Sequence, residues 1–289
     1  MINEWERLVS KEGACELDVW PCLQTLSADV ISLAAFGSSY QEGRKIFQLL
    51  REQEKFFTTA IQSVYIPGSR FLPTKQNKKM KKIYEEVRVL LKGIINKREE
   101  AMKLGEASKH DLLGILMEYS LKEIREHGND RNTGMSLEDV IEECKLFYLA
   151  GQETTSVLLV WAMVLLSQNQ NWQARTREEV LQVFESYPPT YDALRHLKVV
   201  TMVLLEVLRL YPAAVELPRT SRKKTPAGVD VSIHIMLAHH DKELWGEDAD
   251  EFKPERFSEG VAKATKNQFA YFPLGAGPRI CIDFATLHL

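Results

Sequence analysis

Between Trp20 and Tyr211 apolar residues return every three or four positions, with little of the alternation that marks a strand. That spacing predicts a succession of helices over 20–36, 42–60, 76–103, 110–126, 137–168, 171–185 and 197–211. The longest starts behind Ser136 with Asp139 in its first turn, a side-chain pairing suited to a helix N-terminus. Pro188 and Pro189 in "YPPTYD" predict a turn over 187–192. Beyond Tyr211 the texture changes: "YPAAVELPRT" reads as extended and proline-punctuated, "AGVDVSIHI" alternates like a strand, and the remainder reads as loop. The expected architecture is mainly α with a small β element, helical over 1–211 and rich in strand and loop over 212–289.

Composition narrows this picture only a little. With 289 residues, 45% hydrophobic and 27% charged, the chain can bury a large core, so disorder is not the default reading, and one large helical domain fits as well as two. A net charge of -3 argues against general nucleic-acid binding, which needs clustered excess Lys and Arg. The basic stretches at 75–82 and 221–224 are expected to be solvated faces, with docking to an acidic partner as the alternative. Four cysteines without a C-x-x-C suggest neither a zinc site nor a disulfide scaffold, and point to a reducing environment. The opening "MINEWERLVSKEG" has neither a signal-peptide core nor a transit-peptide composition. Leu146 to Leu166 is long enough to span a bilayer, but it carries Gln152, Glu153, Thr154, Thr155 and Ser156 at its middle, so a central core helix is the better expectation.

Three clusters carry candidate chemistry. "AGQETT", Ala150 to Thr155, puts small residues, a carboxylate and two hydroxyls inside the longest helix, where each polar group needs a partner. It reads either as a loosened turn facing a cavity or as a Ser/Thr-rich helix contact. "EVLR" sets Glu206 and Arg209 three residues apart within "VVTMVLLEVLRLYP". That segment is too apolar for an exposed ion pair, so further partners are expected, with Arg256 of "KPERF" as a third member. In "FPLGAGPRIC", Gly275, Gly277 and Pro278 predict a turn that exposes backbone N–H groups, and Arg279 adds a cation. Cys281 follows at the mouth of a short closing helix, a setting that favours an anionic sulfur. A single thiolate without companion ligands builds neither a zinc nor an iron–sulfur site; it suits haem iron, which brings its own nitrogen donors. A dinucleotide fingerprint is set aside, because Ile280 occupies the place of the third glycine and too little chain remains for a βα unit. The adjacent His239 and His240 read as structural or polar residues rather than as a metal pair.

"AGQETT", "EVLR", "KPERF" and "FPLGAGPRIC", in this order, resemble the cytochrome P450 family of haem-thiolate monooxygenases. The longer stretches around them resemble the plant branch that includes secologanin synthase and terpenoid oxidases. The resemblance implies a partial cytochrome P450 fold over 1–289. It makes Cys281 the proximal ligand of haem (iron protoporphyrin IX), Arg279 a propionate partner, and Gly275 and Gly277 part of the haem-binding loop. Thr154 and Glu153 become proton-delivering residues, with Ala150 and Gly151 leaving room for oxygen. Glu206, Arg209 and Arg256 form the network that holds the cysteine loop, and residues 213–219 line the substrate pocket. It further implies a small lipophilic, terpenoid-like substrate, O2, an NADPH-dependent reductase that docks on basic patches, a monomer, and the cytosolic face of the endoplasmic reticulum membrane.

Two positions depart from the family pattern: Leu274 replaces a phenylalanine, and Asp283 stands where glycine is usual, its carboxylate opposing ionisation of the sulfur. The resemblance begins partway through the family's helical region, and residues are expected to be missing between Lys224 and Thr225. The chain is therefore expected to be the C-terminal part of a longer enzyme. The alternative is a non-catalytic remnant or incomplete gene model that keeps the motifs without a working pocket.

Overall fold

The computed structural model describes residues 1–281 apart from 10–12, 38–39, 63–67, 106–110, 128–134, 186–188, 221–228, 266, 268 and 278–279. Among the described residues the chain is mainly helical with one two-stranded sheet, as the periodicity predicts, and it divides into two compact units, Met1–Glu153 and Thr154–Leu289.

The first unit holds α1 (Ile2–Leu8), α2 (Trp20–Phe36), α3 (Tyr40–Gln62), α4 (Lys75–Leu104), α5 (Leu112–His127) and the first half of α6 (Leu137–Gln168). Along α4, Ile83, Val87, Leu91 and Ile95 recur every four residues and are all buried, so one stripe faces the core while the lysines of 75–82 stay exposed. Tyr148 of α6 closes that core, stacked on Phe36 at 4.2 Å and edge-on to Phe47 at 4.9 Å. The start of α6 is fixed by a reciprocal cap: the Ser136 N–H donates to Asp139 Oδ2 at 2.8 Å, and the Asp139 N–H donates to Ser136 Oγ at 3.2 Å.

The second unit continues through the rest of α6, α7 (Gln170–Phe184), α8 (Tyr191–Leu194) and α9 (Lys198–Leu210). It then forms the antiparallel pair β1 (Glu216–Thr220) and β2 (Asp230–His234), followed by the short helices α10 (Ile235–His239), α11 (Lys242–Trp245) and α12 (Val261–Ala264). The hairpin register runs from Glu216 opposite His234 to Thr220 opposite Asp230. α9 exposes Lys198 and Thr201 in its first turn and is buried at Val203 and from Leu205 to Leu210. Val203, Val207 and Leu210 pack with Ala162, Leu165 and Trp172, whereas Leu205 and Leu208 pack with Trp245, Ala249, Phe257, Ala270 and Tyr271. Its first turn is capped from α7, where the Glu179 carboxylate accepts from the N–H groups of Val199 and Val200 at 2.8 and 3.0 Å.

α6 is the one described helix long and apolar enough to cross a membrane by length and composition. It nonetheless gives Val140, Ile141, Cys144 and Tyr148 to the core of the first unit, and Ala162 and Leu165 to that of the second. Of the predicted turn at 187–192, residues 187 and 188 lie outside the described residues, and Thr190 caps α8 by accepting from the Ala193 N–H at 3.3 Å. The 221–224 patch and the junction at Lys224 also lie outside them.

Candidate functional site

Glu206 and Arg209 sit one turn apart on α9 and are fully buried. A guanidinium has five N–H donors, and here each has an acceptor. Nε donates to Glu206 Oε2 at 2.7 Å and Nη2 to Glu206 Oε1 at 2.8 Å. Nη1 reaches the carbonyls of His239 and Ala249 at 2.8 and 2.6 Å, and Nη2 adds that of Glu251 at 3.1 Å. Glu206 Oε1 also accepts from the Lys253 N–H at 2.9 Å. A buried ion pair persists only when its geometry and remaining hydrogen bonds offset the loss of water, and this one meets both conditions.

The structure brings Arg256 to the same cluster. It stands on a short 3-10 turn, Pro254–Phe257, with Nε 3.5 Å from Glu206 Oε1. Its Nη1 contacts Asp248 Oδ1 at 2.7 Å and donates to the Trp245 carbonyl at 3.2 Å, and Nη2 donates to the Asp248 carbonyl. Hydrogen bonds from Lys253 and Arg256 hold the Asp248 carboxyl down at about 2. Asp248 was not singled out by sequence reasoning; the signal available was an acidic run, "GEDADEF", beside "KPERF".

His239 and His240 finish the end of α9. Helix C-termini leave carbonyls without partners, and two adjacent imidazoles serve two successive ones. His239 Nδ1 lies 3.0 Å from the Arg209 carbonyl, and His240 Nε2 lies 3.0 Å from that of Leu210, while His240 Nδ1 meets Asp250 Oδ1 at 2.8 Å. The Phe272 N–H donates to His239 Nε2 at 3.1 Å. A carbonyl only accepts and an amide only donates, so His239 is the neutral Nδ1–H tautomer. Burial, reinforced by the positive Arg209 and by His240, lowers its pKa from 6.5 to about 4.

The cysteine segment follows from there. Tyr271 is buried, its ring stacked on His239 at 5.5 Å and its hydroxyl donating to the Leu205 carbonyl at 2.9 Å. Gly275 (φ +88°) and Gly277 (φ +76°) both take left-handed backbone, which side chains disfavour. The resulting turn is closed by the bonds Gly275 N–H to Phe272 carbonyl (3.1 Å) and Ile280 N–H to Gly277 carbonyl (3.0 Å). The Cys281 N–H donates to the Leu274 carbonyl at 3.2 Å, and Cys281 and Leu274, both half-buried, pack against the cluster of Leu205, Leu208, Trp245 and Tyr271. Arg279, Pro278, Asp283 and the closing helix expected after Cys281 lie outside the described residues.

The donor set suits haem. Cys281 offers one soft sulfur ligand, both imidazoles of the histidine pair have their nitrogens engaged, and no group of three or more His, Cys, Asp or Glu able to hold a bare ion occurs among the described residues. A metal arriving with its own planar nitrogen ligands needs one such sulfur.

The middle of α6 is built differently. Gly151 lets α2 come close: a Cβ there would meet Ile31 Cδ1 and Cγ1 at 2.7 Å. Ser27 of α2 lies with its hydroxyl 3.0 Å from the Gly151 carbonyl and 2.8 Å from that of Gln152, and the buried Gln152 amide donates to the Gln24 carbonyl at 3.3 Å. Gln24 Nε2 donates to Glu153 Oε2 at 3.5 Å, while its Oε1 accepts from Arg51 Nη1 at 2.9 Å. Burial, then the nearby Glu54, raises the pKa of Glu153, against the lowering influence of Arg51 and Gln24. Ala150 and Thr155 are exposed, and Thr154, which opens the second unit, is half-buried. The roles of Gln24, Ser27 and Arg51 escaped sequence reasoning, because nothing local marks a serine or a glutamine as the partner of a helix far along the chain.

A buried glutamate–arginine pair, a glycine-turned loop and a single cysteine on a mainly helical chain are compatible with a metal that brings its own nitrogen ligands. The chain belongs to the cytochrome P450 family, whose model matches residues 1–289. Among its relatives are cytochrome P450 CYP72A219 of Panax ginseng (58% identical over 297 residues, 99% of this chain and 57% of that protein) and cytochrome P450 72A15 of Arabidopsis thaliana (54% over 297 residues, with the same coverage). A third is 7-deoxyloganic acid hydroxylase of Catharanthus roseus (52% over 298 residues, 99% and 57%). The chain thus spans little more than half the length of these relatives.

Proposed function

We propose that this chain carries the haem-thiolate centre of a plant monooxygenase that hydroxylates a small lipophilic, terpenoid-like substrate. Cys281 is the proximal ligand, at the end of a loop whose backbone is turned by Gly275 and Gly277 and whose start is tied to the Glu206–Arg209 clamp through His239. That continuous path from a buried ion pair to one sulfur is the observation that carries the reading. The 212–289 region is the ligand-bearing part of a single P450 domain, to which 1–211 contributes helices.

When bound, haem supplies activation of O2 by two electrons, with one oxygen atom inserted into substrate and the other released as water. The chain's own residues position and protonate. Arg279 pairs with a propionate, and Ala150 keeps side-chain bulk low on the oxygen side, whereas the space beside Gly151 is taken by Ile31 of α2. Glu153, whose burial makes its carboxyl hold a proton more readily than an exposed glutamate, and Thr154, through its hydroxyl, deliver protons. Residues 213–219 line the substrate site. The electrons come from NADPH through a reductase that meets exposed lysines such as those of 75–82, and the working protein is a monomer at the cytosolic face of the endoplasmic reticulum. The similarity to a protein named as a hydroxylase supports the reaction class.

The test is spectroscopic. Full-length chain supplied with haem, reduced and exposed to carbon monoxide is expected to give the red-shifted Soret band of a thiolate complex, and Cys281→Ser to lose it. A soluble, folded chain that takes up no haem would overturn the proposal.

A further inference from the structure

Arg209 and His239 exchange bonds in both directions. The guanidinium donates to the His239 carbonyl at 2.8 Å, and the imidazole Nδ1–H donates to the Arg209 carbonyl at 3.0 Å. The two residues are thirty positions apart, so the exchange locks α10 to the end of α9 rather than stabilising either alone. One valence of the ring remains, the Nε2 lone pair, and it points at the Phe272 N–H, 3.1 Å away. Phe272 is the residue from which the cysteine turn departs: its carbonyl takes the Gly275 N–H, and Leu274, two residues on, takes the Cys281 N–H. The ring has no exposure to solvent, with Tyr271 stacked at 5.5 Å and Phe272 and Trp245 edge-on at 5.3 and 6.0 Å. It therefore has a single orientation in which to offer that lone pair.

We infer that His239 is a positioning residue for Cys281: its Nε2 fixes the Phe272 amide, and thereby the height of the cysteine loop over the Glu206–Arg209 clamp. The inference rests on the reading of Cys281 as the haem ligand, and its consequence differs from ordinary core packing. A phenylalanine at 239 preserves a stacked ring yet loses both bonds. An asparagine places its amide near the Nδ1 position, keeping the donor to the Arg209 carbonyl and losing the acceptor for Phe272. A glutamine reaches the Nε2 position and keeps that acceptor. Packing alone predicts no special ranking of the two amides, whereas positioning puts glutamine ahead at the loop.

The experiment compares wild type, His239→Asn, His239→Gln and His239→Phe as full chains supplied with haem. Amide hydrogen exchange at Phe272 is expected to be about tenfold faster in the asparagine and phenylalanine variants than in the glutamine variant, the scale of losing one buried hydrogen bond. The thiolate share of the carbon monoxide spectrum should fall in the same two and persist with glutamine. Equal Phe272 exchange in all three variants overturns the proposal. If the wild type itself lacks the thiolate band, the Cys281 reading fails, and the exchange ranking still decides whether His239 holds the loop. Should the variants not fold, nitrogen NMR of the wild-type ring decides: an Nδ1–H tautomer with Nε2 accepting is expected, and an Nε2–H tautomer overturns the inference.

Discussion

The surroundings of Arg209 and the surroundings of Glu153 are both polar islands in apolar helices, yet they are assembled on opposite principles. At Arg209 every donor is satisfied, most of the partners are backbone carbonyls, and the ion pair has no exposure. At Glu153 the Gln24 side-chain amide reaches the carboxylate at 3.5 Å and is itself held by Arg51 at 2.9 Å, and the carboxyl is half-buried. Backbone carbonyls cannot rotate away, so the first cluster fixes position. Side-chain amides can, so the second holds its carboxyl less rigidly. The difference is one of rigidity: backbone partners define a single geometry, whereas side-chain partners allow several.

The contrast can be broken most severely at the clamp. Glu206→Gln leaves Arg209 buried without its counter-charge and with one of its two side-chain acceptors lost, and is expected to cost about 3–5 kcal/mol, read as a lower urea midpoint and poor haem retention. A loss under about 1 kcal/mol would show that the carbonyls alone hold the arginine.

Acidification should reach the same region next. His239 is neutral in the folded chain with a pKa of about 4, against 6.5 when unfolded, so the unfolded state binds the extra proton. Its contribution is complete above pH 6.5 and is lost as pH falls towards 4, in all about 3 kcal/mol. The charged or titratable groups around the ring are Arg209, Glu206, His240 and Tyr271. Asp248, lowered to about 2 from 3.8, loses its contribution in a separate window between those values, so the two slopes can be told apart. Urea midpoints measured against pH should lose the upper slope in His239→Gln.

Smaller effects are expected at α6. Gly151→Ala drives a methyl into Ile31 and should destabilise by about 1–2 kcal/mol despite the better helix propensity of alanine, and Ile31→Ala in the same chain should recover part of it. Additive losses in thermal denaturation would show that the two side chains do not meet. Ser27→Ala removes one hydroxyl from two α6 carbonyls that already serve the helix, so about 1 kcal/mol or less is expected by the same measurement.

What the sequence makes legible follows from how local each cause is. α2 and α6 match their predicted limits to the residue, since the apolar period runs unbroken and the cap of α6 lies within four residues, Ser136 to Asp139. The Glu206–Arg209 pair is legible because two charges in so apolar a segment demand burial together. Its carbonyl partners at 239, 249 and 251 are not, since every residue carries the same carbonyl and only the fold selects three of them. α1 went unpredicted because it buries no residue and so leaves no stripe to recognise. The histidine pair reads as structural from sequence, but adjacent rings serving successive helix-end carbonyls become apparent only once α10 lies against α9.

Apart from Glu206, Arg209 collects its acceptors from residues synthesised after it, the last of them Glu251. On the ribosome, a guanidinium embedded in so apolar a helix lacks its first backbone acceptor until residue 239 has emerged and its last until residue 251 has. During that interval only Glu206 and water can serve it, so the nascent helix cannot enter the interior early, and the order of translation itself delays closure of the core around the future cysteine loop.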